Sequence, residues 1–241
     1  MPHYDKYNRE ERAICSHLFR LLHENLDLKK NSSLGQFLEI LSRTKDGINM
    51  TDLKFENIGI YSEVSIIRDA FKNRKSNIDS FMSKLSKIVV VQEGLNGFDI
   101  NQILKEIKST HPSKFKQRAD TENKRKVFGT IQGMFNAKPD LAITIDNKLI
   151  VIEAKFTEAF DEVQMKRTRN IAEVWASLLY EDFGFTKKPE YDVYKLGAKK
   201  YRPNIKWTEV LDIARNTYRN GDRTLSSIEN GVNLLKEING E

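Results

Sequence analysis

Two apolar runs, Leu141-Ala142-Ile143-Thr144-Ile145 and Leu149-Ile150-Val151-Ile152, are separated only by Asp146-Asn147-Lys148. Short β-branched runs with polar, turn-forming residues between them predict a hairpin. If the loop is Asp146-Asn147, Ile145 faces Lys148, and counting outward places Asp140 opposite Glu153. A four-residue loop with the same centre keeps that pairing, whereas a three-residue loop breaks it. Directly opposed residues share a sheet face, with Cβ atoms about 4.5–5.5 Å apart. Period-2 alternation then puts Lys155 on the same face as Glu153.

Two carboxylates facing each other at that distance repel, and such a pair costs stability unless a cation lies between them. Carboxylate oxygens and water are what Mg²⁺ takes, a hard octahedral cation held by one or two carboxylates and completed by substrate phosphate. A protonated lysine beside the pair is no ligand. It can hold or deprotonate a nucleophilic water, or stabilise charge growing on a phosphorane-like transition state. Two acids, a lysine and one metal ion are the parts of metal-assisted phosphodiester hydrolysis. The plain alternative is a surface hairpin whose Glu and Lys alternate toward water.

Pro139-Asp140, twelve intervening residues and then Glu153-Ala154-Lys155, with apolar strands between, resembles the signature of the PD-(D/E)XK nuclease superfamily. That group includes restriction endonucleases, recombination exonucleases and repair nucleases. The resemblance covers about residues 127 to 180. It implies an α/β fold with a restriction-endonuclease-like core, a central mixed sheet flanked by helices, with the site where two strands diverge. By that resemblance Asp140 and Glu153 are metal ligands, the backbone carbonyl of Ala154 is a third, and Lys155 is the catalytic lysine. Some members add a glutamine on the helix after the lysine, and Gln164 stands there. The exonuclease branch carries a tyrosine four residues later, where this chain has Thr168, a departure that points away from an exonuclease.

Many members also supply a glutamate from the first core helix. Glu11, three residues before Ile14 and seven before Leu18, lies on an apolar stripe and is the expected residue, with Glu10 and Glu63 as competitors. The implied cofactor is Mg²⁺, with Mn²⁺ able to substitute.

Upstream, the pattern is helical. Ile14, Leu18, Leu21 and Leu22 follow the i, i+4, i+7, i+8 spacing of one helix face. Asn31-Ser32-Ser33 offers an N-cap before Leu34, Phe37, Leu38 and Leu41. A third helix opening at Tyr61 or Ser62 would carry Val64, Ile67, Ala70 and Phe71; a fourth spans Ile78 to Val91, and a short one Asn101 to Ser109. Residues 113–126 read as a basic, low-apolar connector, with β-rich chain from Val127. Helix follows the lysine to about Tyr180, and another lies near Thr208 to Tyr218. The expected division is a helical region over 1–112, which could contribute the first core helix, and an α/β nuclease core with C-terminal helices over 113–241.

The 241 residues carry net charge +6, which allows a polyanionic partner. The connector at 113–126 and the segment at 187–206 are the expected phosphate contacts, and Tyr191, Tyr194, Tyr201 and Trp207 suit stacking on bases, although Trp207, like Trp175, reads more readily as core. No apolar run approaches the ~20 residues of a membrane helix. The single cysteine, Cys15, excludes an internal disulfide and a cysteine-based zinc site. With no apolar secretory segment at Met1-Pro2-His3, a cytoplasmic protein is expected.

The function these features imply is a divalent-metal-dependent nuclease. It would hydrolyse DNA phosphodiesters, most readily duplex DNA, as an endonuclease of restriction, defence or repair type. The N-terminal helices would recognise the target, form a homodimer or bind a partner protein. The alternative is a non-catalytic nucleic-acid-binding or assembly protein that keeps the nuclease fold.

Overall fold

The computed structural model describes residues 10–44, 47–74 and 77–239, with Glu10, Glu11 and Asn239 described by backbone alone. Its helices are α1 (Glu10–His23), α2 (Ser33–Ser42), α3 (Ile66–Asn73), α4 (Ile78–Gln92), α5 (Asn101–Glu106), α6 (Glu122–Asn136), α7 (Glu162–Leu178), α8 (Trp207–Thr217) and α9 (Arg223–Asn239). Its strands are β1 (Gly59–Tyr61), β2 (Leu141–Ile145), β3 (Lys148–Ala154), β4 (Glu190–Gly197) and β5 (Ile205–Lys206). The chain forms two compact units. The first comprises Met1–Glu63, Pro139–Thr168 and Glu190–Glu241, and the second Val64–Lys138 and Arg169–Pro189.

The first unit is a mixed α/β structure on a five-stranded sheet, ordered β1-β2-β3-β4-β5. β1, β2 and β3 run antiparallel, whereas β4 and β5 continue parallel to β3. A parallel pair needs a crossover, and the connection from β3 to β4 contains α7. The central hairpin turns through Asp146 at φ 52°, a left-handed conformation that Asp tolerates through local hydrogen bonding. Its carboxylate accepts the backbone N–H of Lys54 and of Glu56, each at 2.8 Å, and its own N–H donates to the Glu56 carbonyl at 2.9 Å. The turn is therefore pinned to the 54–56 loop.

One face of the sheet, carrying Ile143, Ile150 and Ile152, shares a continuous core with α1, α2, α8 and α9. The expected stripes are the ones buried: Ile14, Leu18, Leu21 and Leu22 on α1, and Leu34, Phe37, Leu38 and Leu41 on α2. Each such side chain contributes about 1.5–3 kcal/mol when fully buried. Ser32 caps α2 by accepting the Gly35 N–H at 3.0 Å. Cys15 belongs to the same core.

The boundary expected at residue 112 is not where the chain divides. Residues before Glu63 join the sheet because the apolar faces of α1 and α2 have their partners on it. The second unit, α3 to α6 and the C-terminal part of α7, is inserted in sequence between β1 and β2 and again before β4.

Two local expectations are corrected. Gly59–Tyr61 is an edge strand on β2 rather than the start of a helix, and α3 begins at Ile66. Residues 122–136 form one helix where a connector to 126 and β-rich chain from Val127 were expected, with Val127, Phe128, Ile131, Met134 and Phe135 buried at helical spacing. No helix of the described residues is long and apolar enough to cross a membrane.

Candidate metal-binding site

The hairpin register is the expected one, with Ile145 paired to Lys148 and Leu141 to Ile152. Pairing of β2 with β3 stops at Leu141–Ile152, yet β3 stays paired with β4 for two more residues, through Ala154–Leu196. Asp140 and Glu153 lie one position past the last β2–β3 pair. Freed from the ladder, the Asp140 carboxylate turns to β3, where Oδ2 accepts the Ala154 N–H at 2.8 Å. The Asp140 carbonyl accepts the Ser62 hydroxyl at 3.1 Å.

Glu153 is buried, with 8% of its surface exposed. A carboxylate so placed needs donors, and α7 supplies two. Gln164 Nε2 donates to Oε1 and Thr168 Oγ1 lies 3.1 Å from Oε2. The two side chains are four residues apart, hence on one helix face. Lys155 Nζ stands 4.0 Å from Glu153 Oε1, and the two side chains are 13% and 10% exposed. Those values exclude a hairpin whose acid and lysine simply point into water. The Lys155 backbone is fixed from both sides: its N–H donates to the Leu196 carbonyl at 2.8 Å, and its carbonyl accepts the Trp207 indole N–H at 3.0 Å.

The structure thus brings together Asp140, Glu153, Ala154, Lys155 and Gln164. It adds Thr168, which sequence reasoning noted only as a departure from a tyrosine; its signal was its position one helical turn beyond Gln164. Glu63 is turned to an ion pair with Arg12 at 3.2 Å. The side chains of Glu11 and Glu10 lie outside the described residues. Tyr194, suited to stacking by its place in the basic segment, is buried in the core, and Trp207 is buried there as its core reading expects. Tyr201 instead ties its hydroxyl to the Thr157 carbonyl at 2.6 Å, two residues past Lys155.

No cluster of three or more His, Cys, Asp or Glu side chains converges among the described residues. Two carboxylates with a nearby main-chain carbonyl form an all-oxygen donor set. That set fits a hard divalent cation retaining several waters, and does not fit zinc. No family model, curated protein or solved structure matches the chain.

Proposed function

We propose that the chain is a divalent-metal-dependent nuclease that hydrolyses DNA phosphodiesters, with Asp140, Glu153 and Lys155 at its centre. The observation that carries this reading is the placement of two opposed acids just where β2 leaves β3, with a largely buried lysine 4.0 Å from one of them. A mixed sheet flanked by helices also suits a restriction-endonuclease-like core. Thr168 in place of a tyrosine favours endonuclease over exonuclease action.

Asp140, Glu153 and the Ala154 carbonyl would hold Mg²⁺, or Mn²⁺ in its stead. The bound ion supplies Lewis-acid polarisation of the scissile phosphate and neutralises charge developing there. Gln164 and Thr168 hold the two carboxylate oxygens of Glu153. The Lys155 ammonium donates to the attacking water or to a non-bridging phosphate oxygen, where it offsets negative charge that grows in the transition state. Water oxygen bonds to phosphorus as the opposite P–O bond breaks; the attacking water gives its proton up to solvent, and the departing oxygen is protonated from solvent.

The test is incubation of purified protein with labelled duplex DNA, single-stranded DNA and RNA, with Mg²⁺ or Mn²⁺, alongside Lys155→Ala. Metal-dependent cutting of duplex DNA that falls by at least about 10²-fold in the variant is expected, the scale of one lost charge-stabilising donor. Wild-type protein that cuts nothing in any metal, or a Lys155→Ala protein that cuts equally well, would sink the reading.

A further inference from the structure

The charge of this chain is unevenly divided. The second unit holds 18 Lys and Arg against 10 Asp and Glu, net +8, whereas the first holds 22 against 24, net −2. The basic excess of the whole protein therefore belongs to the unit that lacks the acid pair.

Six of those 18 cations lie on two adjacent segments, the turn Pro112–Arg118 and α6. The 3-10 turn Pro112–Arg118 packs antiparallel beside α6. Phe115, fully buried, stacks on Phe128 at 5.0 Å between ring centres, and the Lys116 N–H donates to Gln132 Oε1 at 2.9 Å. Asn136 Nδ2 reaches the Ser113 carbonyl at 3.4 Å. These anchors hold Lys114 and Lys116 beside the C-terminal third of α6, while Arg125 stands on its first turn. All three are exposed, and none has an ion-pair partner among the described residues. The acids nearby are spent on other cations: Glu106 on Arg118 at 2.7 Å, Asp120 on Lys124 at 2.9 Å and Glu122 on Lys126 at 3.0 Å. At the far end Arg68 donates to the Phe135 carbonyl at 3.1 Å and to Asn136 Oδ1 at 2.8 Å. The His111 imidazole is held below its ordinary value by burial first, then by the charges of Arg68, Lys72 and Lys114. Three like charges converge on that imidazole.

A helix of 15 residues is about 22 Å long, and one nucleic-acid strand carries a phosphate about every 3.4 Å of duplex axis. From Arg125 to the end of α6, where Lys114 lies, is about 16 Å, or about five phosphates. The apolar side chains of the row face inward, and the exposed large ones, Leu28, Val91, Val163 and Ile238, lie elsewhere. A membrane-binding face would show its apolar wedges to solvent. Phe115, Phe128 and Phe135 are buried in the row rather than offered to bases, which suits backbone contact on a duplex over single-strand binding.

We propose that the second unit grips the phosphate backbone of duplex DNA along Pro112–Arg118 and α6, through Lys114, Lys116 and Arg125, without reading sequence and without metal. This deepens the nuclease reading by assigning substrate retention to a unit separate in sequence from the acids. It can nevertheless stand if cutting fails.

The test is fluorescence anisotropy of the full chain with a labelled duplex of about 20 base pairs in EDTA, across a salt series. Each phosphate contact contributes about 0.9 to the slope of log K against log salt. The Lys114→Ala/Lys116→Ala/Arg125→Ala variant should therefore bind at least about tenfold more weakly at roughly 0.1 M salt, with the slope reduced by about two to three. Lys114→Arg/Lys116→Arg should bind like wild type. A control removing three cations of the first unit, Lys30→Ala/Lys54→Ala/Lys236→Ala, should change affinity less than about twofold. The proposal is overturned if wild type does not bind duplex, if the control loses as much as the triple variant, or if anionic vesicles compete as well as DNA does. Binding in EDTA followed by no cutting in Mg²⁺ would overturn the nuclease reading alone.

Discussion

Thr168 Oγ1 lies 3.1 Å from both Glu153 Oε2 and the Gln164 carbonyl, two acceptors for a single hydroxyl proton. An ionised Glu153 is the stronger acceptor, since hydrogen bonds to charged groups contribute about 1.5–3 kcal/mol against about 1 for neutral ones. Donation to Glu153 then fixes the carboxylate plane that a metal ion must meet. Thr168→Val keeps the shape and removes the proton. In calorimetric titration without nucleic acid it should weaken Mn²⁺ binding by about tenfold, while Thr168→Ser retains near wild-type affinity. Wild-type affinity in the valine variant would mean that the hydroxyl serves the helix carbonyl and leaves Glu153 to Gln164. At this scale much of the site was legible. Asp140, Glu153 and Lys155 follow from the period of a strand and one turn, which sequence shows directly. Thr168 was not, because the helix phase relative to the sheet depends on where α7 starts, and no residue type announces a threonine as a carboxylate's donor.

Elements were legible where their apolar period was long. α1 and α2 carry four stripe residues each, and both fold as read. β1 has three residues, too few for alternation to show, and its identity comes from its partners Thr144, Ile143 and Ala142 on β2. α6 was misread because its charged first turn, Glu122 to Lys126, looked like a linker, although Val127, Phe128, Ile131 and Phe135 recur at helical spacing. α2 also shows how an element end is fixed by neighbours. The turn Leu26–Asn31 contains Lys29 at φ 51°, and that kink folds the carbonyls of Lys29 and Lys30 over Gly35. A Cβ at Gly35 would lie 2.7 Å from the Lys29 oxygen and closer still to that of Lys30. Backbone atoms cannot swing aside as a side chain can. Gly35→Ala, favoured by helix propensity alone by up to about 1 kcal/mol, should instead destabilise the protein by about 2 kcal/mol or more. Chemical denaturation measures this, and a more stable alanine variant would show that the turn yields freely.

For the whole molecule, the acid pair and the basic row belong to different units, so the two ligands proposed for this chain should act separately on its stability. Anything that binds only the folded state stabilises it by RT ln(1 + [L]/Kd), about 2.7 kcal/mol at a hundredfold excess over Kd. In a domain of 150–250 residues each kcal/mol moves the midpoint by about 2–4 °C. Saturating Mn²⁺ should therefore raise the melting temperature by at least about 5 °C. In Asp140→Ala that shift should vanish, while the shift from a short duplex in EDTA persists. The Lys114→Ala/Lys116→Ala/Arg125→Ala variant should do the reverse, keeping the metal shift and losing the duplex one. Scanning calorimetry of the three proteins with each ligand decides the matter. An Asp140→Ala protein still shifted by Mn²⁺ would remove the metal from the acid pair. A triple variant that loses both shifts would show that the basic row supports the fold rather than a ligand.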